Sequence, residues 1–189
     1  MDLRHRRAFA AGHLPGSFNF GIDGKLATYL GWLIPWATPI TLLGDGAEQA
    51  AEAQRELVRV GIDRPAAAAT RDPEEWAPSR PLRSFRTASF ADLAAVLADP
   101  HLAVLGVRRN LEWADSHIDN AIHIPLHELP RRLDDVPDNQ VWVHCASGYR
   151  ASIAASILLD AAGRQVVAID DDYDPNAARY DPVSSKEHQ

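Results

Sequence analysis

The stretch Val141-Trp-Val-His-Cys-Ala-Ser-Gly-Tyr-Arg150 decides how this chain is read. Its first residues form a short apolar run suited to a buried parallel strand. The run leads straight into Cys145, a small turn containing Gly148, an arginine, and then a helix. That helix, Arg150–Ala162, carries Ile153, Ala154, Ile157, Leu158 and Ala161 on one face and meets Gly163 as a C-terminal stop. In a strand–turn–helix unit the loop N–H groups converge on one centre, joined by the positive end of the helix dipole. The thiolate is the reactive form of cysteine, and such surroundings lower a thiol's pKa. A lone cysteine is ordinarily a small buried hydrophobe. Here the setting makes Cys145 the expected nucleophile of an anion pocket, with Arg150 as a fixed positive charge at its rim.

Working outward, Leu102–Val107, Ala121–Ile124 and Val166–Ile169 are further short apolar runs bounded by turn residues. Ser89 with Asp92 three residues on predicts a capped helix start, Leu93, Val96 and Leu97 its apolar face, and Pro100 its end. Strands alternating with helices predict an α/β fold, a central parallel sheet flanked by helices.

The chain also repeats itself. Asp2–Phe20 (DLRHRRAFAAGHLPGSFNF) aligns without gaps on Gly106–Ile124 (GVRRNLEWADSHIDNAIHI). Arg4 falls on Arg108, Phe9 on Trp113 and His13 on His117, while Leu14, Phe18 and Phe20 fall on Ile118, Ile122 and Ile124. A β-rich run, a glycine-containing turn and an apolar-striped helix follow each copy. Two copies of one α/β unit are expected: an incomplete first unit over 1–80, with a linker over 64–83, a second unit over 84–177, and a polar tail over 178–189. The first copy lacks the helix and strand that precede Gly106, which would expose a sheet edge. A protein partner, a homodimer or the second copy itself is an expected cover for that edge. The apolar stretch Tyr29–Leu43 is read as a core loop leading into a strand at Pro39–Leu43, with Trp32 and Trp36 buried, or alternatively as a contact surface built on the two tryptophans.

The chain has 189 residues, 46% hydrophobic and 24% charged, an ordinary globular mixture. A net charge of −7 argues against nucleic acid or an anionic membrane as partner. The single cysteine excludes an intramolecular disulfide. The charged start MDLRHRRAFAAG has no apolar run behind it, so a cytoplasmic location is expected. The apolar stretch at Tyr29–Leu43 holds two prolines and is too short to span a bilayer.

Residues 84–172 resemble the rhodanese homology family through Val107-Arg108, Glu112-Trp113, His117-Ile118, Ile124-Pro125-Leu126 and above all Cys145-Ala-Ser-Gly-Tyr-Arg150. The resemblance implies two rhodanese-like domains. In the active one Cys145 carries sulfane sulfur as a persulfide, and Ala146, Ser147, Gly148, Tyr149 and Arg150 form the substrate cradle. In the first copy Gly12-His13-Leu14-Pro15-Gly16-Ser17 resembles the fold, but Gly44 stands where the cysteine belongs. An inactive domain followed by an active one is similar to the C-terminal part of fusions with a metallo-β-lactamase-fold persulfide dioxygenase, although the chain contains no His-x-His-x-Asp-His. Two positions depart from the family: Gly106 replaces its usual aspartate in Asp-x-Arg, and Asp119-Asn120 replaces Pro-Gly.

The expected chemistry is sulfur transfer from thiosulfate or a low-molecular-weight thiol persulfide to a thiol or cyanide, with no cofactor and no metal. The alternative is a sulfur-relay binding module docked on a separate persulfide-oxidising protein. A cysteine phosphatase is the weaker reading, because the resembling phosphatases use a larger Cys-x5-Arg loop and this one is Cys-x4-Arg. His123 and His127 lack an obvious third metal ligand and have Pro125 between them. His144 is expected on the strand face opposite Cys145. Arg108, Glu112 and Trp113 are read as fold elements, an ion pair and a core aromatic.

Overall fold

The computed structural model describes residues 1–23 and 25–174. In chain order the elements are α1 (Arg6–Ala11), α2 (Leu26–Leu33), β1 (Thr41–Leu43), α3 (Ala47–Val58), β2 (Ala67–Ala69), α4 (Pro73–Trp76), β3 (Arg86–Ala88), α5 (Phe90–Val96), β4 (Leu102–Gly106), α6 (Asn110–Asp115), β5 (Ile122–His123), β6 (Gln140–His144), α7 (Tyr149–Ala162) and β7 (Val166–Ile169). The second half is a five-stranded sheet in the order β3-β7-β6-β4-β5, parallel throughout. The expected α/β class with helices flanking a parallel sheet is what forms. The expected capping box is present at α5, where Ser89 and Asp92 bond reciprocally. Gly163 closes α7 in the left-handed region at φ 64°. The short β3 had no signal in its sequence: two of its three residues are exposed, and it exists through its pairing with β7.

Side chains alternate across the central strand. Val141, Val143 and Cys145 belong to the larger core, and Trp142 to a smaller one on the opposite face with Phe90, Leu93, Val104 and Ile118. The larger core also contains Leu3, Phe20, Leu26, Leu30, Leu42 and Leu57 from the first half. The two halves therefore share one hydrophobic core.

In the first half, β1 pairs with β2 in parallel, and Asp2 bridges Leu43 on one side and Asn19 on the other. Gly106 makes the same two pairings, with His144 and His123. The hydrogen bonds match as well. Leu3 N–H donates to Leu43 O and Phe20 N–H to Asp2 O, as Val107 N–H donates to His144 O and Ile124 N–H to Gly106 O. Phe9 stacks on His13 at 4.0 Å and Trp113 on His117 at 4.5 Å. The segment 64–83, expected to close the first unit and link it to the second, includes strand β2 and the short α4. The tail at 178–189 and the end of the second unit at 175–177 lie outside the described residues.

Two local expectations are corrected. Residues 29–33, expected as loop, instead continue the helix that starts at Leu26, because Leu26 and Leu30, four apart, share a buried stripe. Pro35 ends it by holding Ile34 extended. Trp32 and Trp36 lie away from that stripe, 43% and 76% exposed, and are not core residues. The second correction concerns α7, expected to bury one face. Residues 151–158 are buried on every side, since the first half covers the other face; the Ala161 side chain lies outside the described set. Ser152 Oγ donates to Asn19 Oδ1 at 2.8 Å, and Ser156 Oγ accepts from Asn19 N–H. Asp160, near the far end of α7, accepts from Gly16 N–H and Arg83. Among the described residues, no helix is long and apolar enough to cross a membrane.

Candidate active site

Cys145 follows β6 immediately and sits at the base of a cleft of ≈310 Å³. It is a free thiol, 2% exposed. Gly148, at φ 86°, turns the chain into α7. A Cβ there would stand 2.6 Å from Asp170 Oδ1 and 3.0 Å from Arg6 Nε, so both conformation and space require glycine. The amide N–H groups of Ala146 through Arg150 donate to no described residue. The loop is held by other contacts. Ala146 O accepts from Tyr173 N–H, Gly148 O accepts from Ser152 N–H, and Tyr149 Oη donates to Gly21 O at 2.7 Å. Burial pushes the Tyr149 phenol pKa up, so it stays a donor.

Arg150 does not stand as a bare charge at the rim. Its guanidinium is buried and bidentate on Glu112, Nη1 to Oε2 at 2.6 Å and Nη2 to Oε1 at 2.9 Å. The Arg150 hydrogen bond is the main cause holding the Glu112 carboxyl well below the usual carboxylate range, against partial burial. The ion pair expected near Arg108 thus belongs to Arg150, and it ties α6 to the cysteine loop. Trp113 is half-buried, stacked between His117 and His123, and not a core aromatic. Its ring also accounts for Gly106, since a Cβ there would lie 3.1 Å from Trp113 Cε3 and 3.0 Å from His144 Nε2. Arg108, without the carboxylate the family carries, lies over the Tyr173 ring at 4.0 Å and donates to Ser116 O. In the first half Asp2 and Arg4 keep the pair, buried at 2.7 Å. Asn120 takes φ 60° where the family has glycine, a conformation asparagine tolerates.

The remaining cleft residues come from where the sequence gave no signal. Arg6, Asp23, Lys25 and Tyr29 of the first half line it with Ser147, Tyr149, Arg150 and Asp172. Arg6 and Arg7 both bond the Asp170 carboxylate behind Gly148. Partial burial pushes that carboxyl's pKa up, but the bonds from Arg7 and Arg6 outweigh it and leave the group below its ordinary value. Among the described residues no cluster of three or more metal-ligand side chains forms. His123 instead bonds Arg108 O, and His127 lies 3.6 Å from Glu128. Beside the site, Trp32, Leu111, Asn110, His127, Arg109 and Arg131 line a groove of ≈550 Å³.

His144 lies on the opposite face from Cys145, its ring against Phe90 and Tyr173. Burial, aided by nearby Arg108, holds its pKa down to about 4. An unfolded histidine titrates near 6.5 and binds the proton that the native state excludes, so stability falls as pH drops from about 6.5 to about 4. Between pH 6.5 and 5 this group alone is expected to remove about 1.5 kcal/mol. Urea midpoints of wild type and His144→Gln at both pH values check it. His13, whose pKa is also lowered by burial, leaves a smaller slope of the same sign in the variant. An unchanged slope would contradict the assignment.

Residues 89–175 match the family model of the rhodanese-like domain. The chain is 30% identical over 73 residues to the "Putative sulfur carrier protein YrkF" of Bacillus subtilis, covering 38% of this chain and 40% of that protein. It is 32% identical over 69 residues to a sulfurtransferase of Allochromatium vinosum, covering 35% of this chain and 64% of that one. The matched stretches span less than two thirds of either relative. Among solved structures, a thiosulfate sulfurtransferase from Pseudomonas aeruginosa aligns with 94% of this chain and 35% of its own, at 21% identity and a TM-score of 0.43.

Proposed function

We propose that the chain is a single-cysteine sulfurtransferase. The observation that carries this reading is a thiol in the cleft beside a loop whose amides from Ala146 to Arg150 donate to no described residue. The rhodanese-like match and the names of the relatives support sulfur transfer as its general chemistry. In the first step the Cys145 thiolate attacks the outer sulfur of thiosulfate or a thiol persulfide. The sulfur–sulfur bond breaks, and sulfite or the thiolate leaves with the electron pair. The Cys145 persulfide anion then rests among the loop amides, with Ser147, Gly148 and Tyr149 shaping the cradle and Arg150 fixing it through Glu112. An acceptor thiolate or cyanide attacks the outer sulfur, and Cys145 departs as thiolate. The Cys-x4-Arg loop suits one sulfur atom better than a phosphate ester.

The matching pairings of Asp2 and Gly106 support reading the first half as an incomplete copy of the same unit. Gly44 follows Leu43 as Cys145 follows His144, so that copy offers no thiol and serves as a wall of the cleft. The arrangement resembles the end of persulfide dioxygenase fusions. The exposed Trp32 and Leu111 beside the cleft favour a second reading, a relay docked on a persulfide-oxidising partner.

Intact mass is the test. Reduced protein incubated with thiosulfate, or with a thiol persulfide, is expected to gain one sulfur that cyanide removes, and Cys145→Ser to gain none. No gain from either donor would overturn the reading.

A further inference from the structure

Three cations line the cleft above Cys145, and they differ in what they already hold. Arg6 is engaged by Asp170 and, at 3.2 Å, by Asp23. Arg150 is engaged by Glu112 on both nitrogens. The Lys25 ammonium, exposed at the start of α2, has no hydrogen bond or ion pair with any described residue. Asp172 brings a carboxylate to the same lining.

A donor such as thiosulfate approaches a thiolate as one anion approaching another. The loop amides lie beside Cys145, where they meet the transferred sulfur; they do not serve the donor's far end. That end needs a cation outside the loop that is not already spent, on a stem flexible enough to follow it. We propose that Lys25 is this cation: the first half supplies the group that receives the anionic end, sulfonate or carboxylate, of the sulfur donor. Lys25 is then a specificity-determining residue, and the Asp172 carboxylate in the same lining weakens the interaction. The inference rests on the sulfurtransferase reading.

A charge that holds the donor equally before and during attack changes half-saturation and not the limiting rate. The experiment follows Cys145 persulfide formation in the full chain against donor concentration. The donors are thiosulfate, carboxyethyl persulfide, and hydroxyethyl persulfide, whose organic part is uncharged. Lys25→Ala is expected to raise the half-saturating concentration of the anionic donors by about five- to tenfold. The limiting rate should stay within about twofold. Hydroxyethyl persulfide should load at the wild-type concentration. Lys25→Arg should restore the anionic donors, and Asp172→Asn should lower their half-saturating concentration. A response confined to thiosulfate or to the carboxylate donor would still support the proposal and identify which anion is received. Equal effects on charged and uncharged donors, or none on any, would overturn the role of Lys25 while leaving sulfur transfer standing. A wild type that loads from none of the three would overturn the underlying reading itself.

Discussion

Glu112→Ala is expected to cost about 3 kcal/mol of folding stability and to remove most sulfur transfer, although Glu112 is not in the cysteine loop. The change leaves the Arg150 guanidinium buried and without its bidentate partner. A desolvated charge that loses its partner is among the most destabilising single changes, and here it lies on the first turn of α7, directly after the loop. Glu112 keeps about a fifth of its side chain exposed, 21%, which puts the cost at the low end of the range for buried pairs. Chemical denaturation with Cys145 persulfide loading measures both effects. The double variant Glu112→Leu with Arg150→Met separates them: stability should largely return, while loading stays low because the loop has lost its anchor. Loading that recovers together with stability would show that the pair supports the fold alone.

Gly148→Ala is the second large effect. The residue sits at φ 86°, which costs an alanine about 1 kcal/mol or more. The new Cβ would also press on Asp170, 2.6 Å from Oδ1 and 3.0 Å from Cα. That carboxylate is pinned by Arg6 and Arg7, and the Cα is backbone, so neither yields freely. A loss of about 2–4 kcal/mol follows. Sulfur transfer should drop about a hundredfold, because the displaced loop no longer keeps its geometry beside Cys145. Gly163→Ala is the internal control. It shares a positive φ of 64°, but nothing lies within 4 Å of its Cβ. It should lose only about 1 kcal/mol and keep its activity. Equal losses at both positions would mean that backbone conformation alone, without the crowding against Asp170, sets the requirement at 148.

The legible parts of this molecule were those whose physics is local. A β-branched run into a cysteine, a glycine turn and an apolar-striped helix specify β6, the loop and α7 by hydrogen bonding and burial within thirty residues. The Ser89–Asp92 cap and the Gly163 stop work over three or four residues, and both formed as expected. Trp32 and Trp36 went the other way, because side-chain type states a preference for burial and says nothing about which side of a helix, or of the turn after it, faces the core. That side is set by Leu26 and Leu30.

The partners of the site belong to long-range geometry. Glu112 reaches Arg150 across 38 residues and Tyr149 reaches Gly21 across 128, and no periodicity encodes such pairs. Sequence alone determined the α/β class and the strand–loop–helix unit around Cys145, and it led to the expectation of a nucleophilic cysteine and of two related halves. The tertiary structure decided that the first half closes over that cysteine, burying α7 on both faces and bringing Arg6, Asp23, Lys25 and Tyr29 to its cleft. The physical reason is that burial of a shared apolar core, summed over many weak contacts, sets which distant charges meet.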